Sequence, residues 1–269
     1  MKTRSNGEVV EMCACVLGYD RSVLTDEAPT RDREALLVEF LAGIDEDAVA
    51  RRYREDDGLI VLPSLLPAAL VDEMAAEARA LAPTAYRKRV PFVRKAAAVH
   101  HHPIAALAPA MHALHQSPSL IAFFSRVTGV SLAHRDPGEA HASALYVYDE
   151  EGDWMDWHFD ECGCPPGDSF STVIGLIDDS SSRLEVETRR EPASAPTRAA
   201  SIHTTPGTFV FFCGARGYHR VTPLGAGEVR MTFAFTYIRE GRSPGGIYDA
   251  RLRLGNALIY FGLGHLFRR

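Results

Sequence analysis

The stretch "GTFVFFCGARGYHRVTPLGAGEVRMTFAFTYI", residues 207–238, decides the fold class. It contains two runs of β-branched and aromatic residues separated by Gly and Pro, a pattern typical of strands joined by turns. Comparable runs begin at about residue 142 and read "SALYVY", "WMDWHF", "FSTVIGLID" and "RLEVET". Because no helical pattern lies between these runs, we predict an antiparallel sheet system and not a parallel βαβ fold.

The first half of the chain predicts helices. Apolar spacing and good helix formers indicate helices over about 33–54 (broken near Gly43), 68–82, 104–116 and 118–128, and a short strand over 58–62. Two segments are predicted to be loops: 84–103, which is basic and then rich in His, and the Pro/Ala/Ser-rich insert 180–201. The helices followed by the strands predict an α+β fold.

Domain organisation follows from the same patterns. Residues 1–31 lack periodicity, which predicts a flexible N-terminal extension. Residues 32–269 are predicted to form a single domain whose core strands occupy about 142–240.

Bulk composition excludes several function classes. The 269 residues carry 29 basic and 35 acidic side chains, a net charge of −6, which argues against a nucleic-acid binder. Five cysteines without a CxxC pair predict free thiols in a reducing compartment. No signal-peptide pattern and no apolar run of about 18 residues is present, so we expect a cytoplasmic protein without a membrane partner.

The motif "DWHFDE", residues 156–161, places polar side chains inside a predicted strand. Because strand side chains alternate, Asp156, His158 and Asp160 should share one face. Met155, Trp157 and Phe159 should share the opposite, apolar face. The polar face is therefore expected to line a wet or metal-containing cavity.

A second predicted strand, "EVRMTFAFTYI", also has one polar and one apolar face. Arg230 lies among small residues on one face, opposite an apolar face, and an arginine in that position needs an anionic partner. His219 precedes Arg230 by eleven residues across the turn "PLGAGE", which predicts adjacent strands of one hairpin facing one cavity. His158, Asp160 and His219 together form the two-histidine, one-carboxylate set that non-haem Fe(II) prefers.

These residues also carry a family resemblance. The pattern "Y-x9-HFD … PGTFVFFCGARGYHRVTPLGAGEVRMTFAFTY" resembles the core of the Fe(II)/2-oxoglutarate-dependent dioxygenases. The segment "DDGLIVLPSLLPAALVDEMAAEARAL" resembles their opening strand and helix, so the resemblance covers about residues 55–240. The wording "WHFD" and "HRVTPL…GEVR" is nearest to the bacterial group of free-amino-acid hydroxylases and halogenases.

The resemblance implies a fold, cofactors and site residues. The fold would be a double-stranded β-helix (jelly roll) with flanking N-terminal helices. The cofactors would be Fe(II), 2-oxoglutarate and O2, with iron held by His158, Asp160 and His219. Arg230, with Thr232 beside it, would bind the distal carboxylate of 2-oxoglutarate, and Tyr148 would contact the same co-substrate. The partner would then be a small-molecule substrate, a free amino acid or a natural-product intermediate.

Further residues are weighed for substrate binding. Glu161 could bind a cationic group, Trp157 could wall the pocket, and Arg94 is either a solvated loop residue or a ligand for a substrate carboxylate. The run His100, His101 and His102 suggests a metal site, but adjacent side chains point in different directions. A loop location without a metal is the expectation for that run.

Several outcomes stay open at the level of sequence. Asp160 fills the metal position that a halide would need, which favours hydroxylation over halogenation. Desaturation, cyclisation or a protein side chain as substrate remain alternatives within the same chemistry. A non-catalytic metal- or ligand-binding jelly roll would not need Arg230, and a zinc hydrolase would need a placed general base that the sequence does not offer.

Overall fold

A computed structural model describes residues 32–136, 138–160, 167–191 and 194–241, together with residues 255 and 261. The chain divides into two units, Met1–Asp32 and Arg33–Arg269, and every element named below belongs to the second. The predicted extension 1–31 lies outside the described residues. Within the described part, no helix is long and apolar enough to span a membrane.

Helices cluster in the first half of the described chain, as predicted. They are α1 Arg33–Ala42, α2 Glu46–Glu55, α3 Ala68–Leu81, α4 His101–Leu107, α5 Pro109–Gln116 and α6 Pro118–Thr128. The expected break after α1 is present, and the Asp45 side chain caps α2 by accepting from the Ala48 amide. Helix α6 begins after Ser117, whose side chain accepts from the Leu120 amide, and ends at Gly129 in the left-handed region.

The strands are mostly those that the sequence predicts. They are β1 Leu59–Leu62, β2 Tyr86–Val90, β3 Arg94–His100, β4 Leu132–His134, β5 Ser143–Tyr148, β6 Trp154–His158, β7 Ser169–Asp179, β8 Leu184–Thr188, β9 Arg198–Ile202, β10 Phe209–Cys213, β11 Gly217–Val221 and β12 Val229–Arg239.

In the described residues these strands form one antiparallel sheet. Its order is β1-β10-β7-β12-β5-β3-β6-β11-β8-β9, with β2 added to β3 and β4 added to β12. Strand β3 pairs with β5 through Ala97–His100 and with β6 through Arg94–Lys95, so it joins the two halves of the curled sheet. The sheet curls into a jelly-roll core flanked by helices, which confirms the predicted α+β class.

Two apolar clusters hold this architecture. The larger one packs the helices against one face of the sheet and includes Phe233, Phe235 and Tyr237 of β12. The smaller one includes Tyr148, Met155 and residues of β8 and β10, and it lies between the two halves of the sheet. The alternation predicted for β12 is confirmed, because its aromatic side chains pack toward the helices.

Two segments predicted to be loops contain strands. Residues 84–103 form the hairpin of β2 and β3 and the start of α4. The central alanines of β3, residues 96–98, are buried, so small residues replace the β-branched pattern that usually marks a strand. In the insert 180–201, β8 is present as predicted, and residues from Arg198 form β9, which pairs with β8 at the end of the sheet order.

The predicted hairpin of His219 and Arg230 is wrong. Strand β11 pairs with β6 and β8, whereas β12 pairs with β4, β5 and β7. The connection crosses from one half of the curled sheet to the other. There, the amide of Leu224 donates to Asp153 and its carbonyl accepts from Gly152. His219 and Arg230 therefore reach the interior from different walls of the sheet.

Candidate metal and anion site

The structure brings the three predicted metal ligands together. His219 on β11 is the register partner of His158 on β6, and their ring centroids lie 4.1 Å apart. Asp160 follows β6, and its Oδ1 lies 3.7 Å from Nε2 of each histidine. One ligand atom of each residue lies within 4.8 Å of the others, so the set can hold a metal ion.

Backbone carbonyls orient both imidazoles. Nδ1 of His158 lies 2.7 Å from the Asp156 carbonyl, and Nδ1 of His219 lies 2.9 Å from the Gly217 carbonyl. A carbonyl can only accept, so each Nδ1 carries the proton and each Nε2 keeps a free lone pair toward Asp160. This is the tautomer that a metal ligand needs.

The charges of the three groups favour metal binding. The protein surroundings and then His219 lower the pKa of His158 to about 4, so this imidazole is neutral near pH 7. Loss of hydration within the protein would by itself raise the pKa of Asp160. The effects of His219, His158 and Arg135 are larger together, so the pKa is lowered. Two imidazole nitrogens and one ionised carboxylate are the donor set that non-haem Fe(II) sites use.

The strand alternation predicted around His158 holds only in part. Between His219 and Val221 the pairing shifts, so that three residue steps on β6 match two on β11. The alternation predicted that Met155 and Trp157 share one face of the strand. Because of this irregularity, Met155 packs in the inner cluster instead. Trp157 stacks on Tyr218 at 5.2 Å, and the Arg220 guanidinium lies 5.0 Å from its ring centroid. A substrate contact of Trp157 stays a prediction.

Arg230 is buried inside the curled sheet, as predicted, with 1% of its surface exposed. Its Nε donates to Thr204 Oγ1 at 3.0 Å, and the Thr204 hydroxyl donates to Asp178 Oδ2 at 3.1 Å. Among the described residues Nη1 of Arg230 has no hydrogen-bond partner, and no carboxylate lies within ion-pair distance of it. Burial lowers the pKa of this guanidinium, and a buried cation with a free donor suits a carboxylate ligand.

The loop that carries Thr204 lies directly against β7. A Cβ on Gly175 would come within 2.0 Å of the Thr204 carbonyl oxygen and 2.4 Å of the Thr205 carbonyl oxygen. Only glycine allows this approach, so Gly175 lets the loop lie where the Thr204 hydroxyl accepts from Arg230.

Tyr148 and Thr232 lie beside Arg230, as predicted. Tyr148 on β5 is the register partner of Arg230, and its ring centroid lies 5.5 Å from the guanidinium carbon. Thr232 is buried two residues along β12 and pairs with Tyr146 and Gly175.

Arg94 is not a solvated loop residue. It lies on β3, is fully buried, and donates to the Ala96 carbonyl at 3.0 Å. Its charge acts on Tyr148, as does the charge of Arg230: burial raises the pKa of Tyr148 and the two cations oppose that rise. Two buried cations therefore lie near one tyrosine inside the sheet.

Some residues of the site were not predicted from the sequence, and one predicted residue lies outside the described part of the chain. Glu161 lies outside the described residues. Thr204, Asp178, Gly175 and Arg135 were not identified from sequence. Thr204 alone had a sequence signal, because it lies in "HTTPGT", a polar run directly before β10 that no strand or helix pattern explained.

Comparison with known proteins supports the fold. A family model described as Halogenase D matches residues 44–163, which include His158 and Asp160. Among curated proteins no sequence matches the chain.

Solved structures give the wider match. SnoN, an alpha ketoglutarate dependent epimerase of nogalamycin biosynthesis, aligns with a TM-score of 0.59 at 19% identity, covering 76% of this chain and 86% of that chain. A Pseudomonas putida prolyl-4-hydroxylase aligns with a TM-score of 0.54 at 20% identity, covering 74% and 100%. The carbocyclase SnoK aligns with a TM-score of 0.58 at 17% identity, covering 78% and 90%.

The chain has the jelly-roll fold of the Fe(II)/2-oxoglutarate-dependent oxygenases, and the fold that the sequence resemblance implied is confirmed.

Proposed function

We propose that the protein is an Fe(II)- and 2-oxoglutarate-dependent oxygenase that hydroxylates an unactivated C–H bond of a free amino acid or a natural-product intermediate. The observation that carries the proposal is the pairing of two sites in one interior. His158, Asp160 and His219 form a metal donor set. Arg230 supplies a buried cation with a free Nη1. A plain metal-binding module has no need of the second site.

The cofactors fit the residues present. Fe(II) would be held by Nε2 of His158 and His219 and by the Asp160 carboxylate, and three protein ligands leave positions for 2-oxoglutarate and O2. The distal carboxylate of 2-oxoglutarate would meet Arg230, with Thr232 and Tyr148 beside it. When bound, the metal and 2-oxoglutarate supply an oxidant that couples decarboxylation to attack on a C–H bond. A separate structure of SnoN contains Fe3+, alpha ketoglutarate and nogalamycin RO, which supports this cofactor set.

The residues of this chain bind and orient. Thr204 accepts from Nε of Arg230, and Nη1 of the same guanidinium stays without a hydrogen-bond partner among the described residues, so it can donate to a carboxylate. The Asp156 and Gly217 carbonyls keep both imidazoles in the metal-binding tautomer. The two walls of the curled sheet bury Arg230 and Arg94, which excludes water and strengthens their attraction for carboxylates.

A halogenase is the second candidate, because the Halogenase D model matches the segment that carries His158 and Asp160. Asp160 speaks against it. Oδ1 of Asp160 lies 3.7 Å from Nε2 of His158 and of His219, which is too long for a hydrogen bond. With a metal between these atoms, the carboxylate would occupy the coordination position that a halide needs. Hydroxylation is therefore the outcome that this donor set favours.

The test is turnover by the full-length protein with Fe(II), 2-oxoglutarate and O2 across a panel of amino acids in chloride buffer. We expect succinate and a product heavier by one oxygen atom. His219→Ala should remove turnover while the protein stays folded. His203→Ala changes an exposed histidine outside the donor set, and this variant should keep its iron. Zinc retention without oxygen consumption would favour a hydrolase or a binding module. A chlorinated product would establish the halogenase.

A further inference from the structure

A second histidine cluster lies outside the site described above. His101 begins α4, and His112 and His115 lie one turn apart on α5, where side chains three residues apart share a face. One ring nitrogen of each residue lies within 4.8 Å of the others, the same closeness that the His158 set shows. His101 and His115 are buried, with 2% and 0% of their surfaces exposed, and His112 is half-buried.

This cluster occupies the opposite face of the sheet. The ring centroid of His115 lies 5.3 Å from that of Phe235, which packs toward the helices. Arg230 and Thr232 alternate with the aromatic residues of β12 and face the interior. The cluster is therefore separated from the anion site by the thickness of the sheet.

Two ring nitrogens of the cluster lack protein partners. Within the described part of the chain, Nε2 of His115 and Nδ1 of His112 are buried and make no hydrogen bond. A buried polar atom without a partner is costly, and native proteins rarely keep one without a ligand. Burial, followed by the neighbouring histidines, lowers the pKa of His101 to about 4 and that of His115 to about 3, so both imidazoles are neutral near pH 7.

Nδ1 of His101 and Nδ1 of His115 each have a neighbouring polar side chain. Nδ1 of His101 lies 2.9 Å from Ser143 Oγ, which leaves Nε2 as its other ring nitrogen. Nδ1 of His115 lies 3.0 Å from Nε2 of the Gln116 side chain. With this amide group flipped, its oxygen would accept from Nδ1, and Nε2 of His115 would keep its lone pair for a metal. Metal-binding histidines use such contacts to fix the ring and its tautomer.

The helix that presents two of the rings is itself anchored. The Glu77 carboxylate accepts from the amides of Ala110 at 2.6 Å and Met111 at 2.9 Å, at the start of α5. This contact joins α3 to α5 and sets the rotation that points His112 and His115 toward His101.

We propose that His101, His112 and His115 form a second metal site that takes a divalent transition ion, with Zn²⁺ the ion that three imidazoles and one water suit best. The ion ties α4 and α5 to each other over β12. It has a structural role and does not depend on the function proposed for the first site.

The experiment measures zinc bound by the full-length protein in an Asp160→Ala/His219→Ala background, which removes two ligands of the first site. After Zn²⁺ addition and dialysis, we expect one retained zinc per chain and a raised melting temperature. Adding His112→Ala should weaken zinc affinity by about a hundredfold or more, beyond the 10- to 100-fold typical of losing an outer contact. Ser143→Ala should fall within that range.

Two variants separate metal loss from misfolding. His102→Ala removes a neighbouring histidine outside the set and should keep the zinc. His112→Cys replaces one zinc ligand by another and should also keep it. Absence of retained zinc in the background protein would overturn the proposal, and so would equal zinc affinity in the His112→Ala protein.

Discussion

Arg230→Lys tests the anion site in detail. The guanidinium uses Nε for Thr204 and keeps Nη1 free, so it can hold its protein partner and a carboxylate at once. A lysine ammonium keeps the charge but has one nitrogen, which cannot serve both partners with the same geometry. The variant should therefore lose at least one charge-assisted hydrogen bond to 2-oxoglutarate.

The size of the effect follows from that loss. A hydrogen bond to a charged group contributes about 1.5–3 kcal/mol. At 1.4 kcal/mol per tenfold, the dissociation constant for 2-oxoglutarate should rise about 10- to 150-fold. Iron affinity should not change, because Arg230 belongs to a different wall of the sheet from β6 and β11.

The assay is anaerobic titration calorimetry of the Fe(II)-loaded protein with 2-oxoglutarate. Arg239→Lys is the matched control, since Arg239 lies on the same strand but pairs with Asp168 at the surface. Unchanged affinity in Arg230→Lys, or an equal loss in both variants, would refute the assignment.

Three further predictions address stability, geometry and outcome. Burial raises the pKa of Glu77 from 4.5 to about 7, so the folded state holds this proton more tightly than the unfolded state. The free energy of unfolding should therefore fall by about 3 kcal/mol as the pH rises from below 4.5 to above 7. Glu77→Gln should flatten this slope in urea denaturation at about pH 5 and about pH 8, and an unaltered slope would contradict the cause. Gly175→Ala should force the Thr204 carbonyl away, destabilise the protein by about 1–3 kcal/mol and weaken 2-oxoglutarate binding; full affinity would show that the loop position does not matter. Asp160→Gly should abolish hydroxylation and give little chlorinated product by mass spectrometry, because halide transfer also needs a suitably held substrate, and efficient chlorination would show that the carboxylate alone sets the outcome.

The site could be predicted from sequence where periodicity and chemistry agree. On β12, Arg230 and Thr232 lie between apolar residues, and at the end of β6 His158 precedes Asp160 by two residues. Such inversions are rare on buried strands, so each pointed to a ligand. The resemblance implied that His158, Asp160 and His219 hold one iron, and the structure brings these side chains together. The pairing of β6 with β11 that does so was not predicted, because local pattern does not contain it.

The failures have a common physical cause, which is long-range packing. Strand β3 is buried on both faces, and its run of alanines has higher helix than strand propensity, so no alternation marks it. Arg94 looked solvated for the same reason. The turn "PLGAGE" reads locally as a hairpin, yet contacts of Leu224 with Asp153 and Gly152 carry it across the sheet.

The cluster of His101, His112 and His115 shows the same limit. Within the run of histidines, His101 contacts Ser143, whereas the ring of His100 lies against that of Phe261. The sequence gives no sign that His101 turns toward a helix that begins eight residues later. Only the packing of α5 on α3 and the sheet brings the three rings together.

The central claim is that one interior holds a metal on His158, Asp160 and His219 and a dicarboxylate on Arg230. The most direct measurement is an anaerobic crystal structure of the full-length protein with Fe(II) and 2-oxoglutarate. The account predicts one iron ligated by these three side chains and a 2-oxoglutarate carboxylate within hydrogen-bonding distance of Arg230 Nη1. Iron bound elsewhere, or 2-oxoglutarate bound without contact to Arg230, would contradict it.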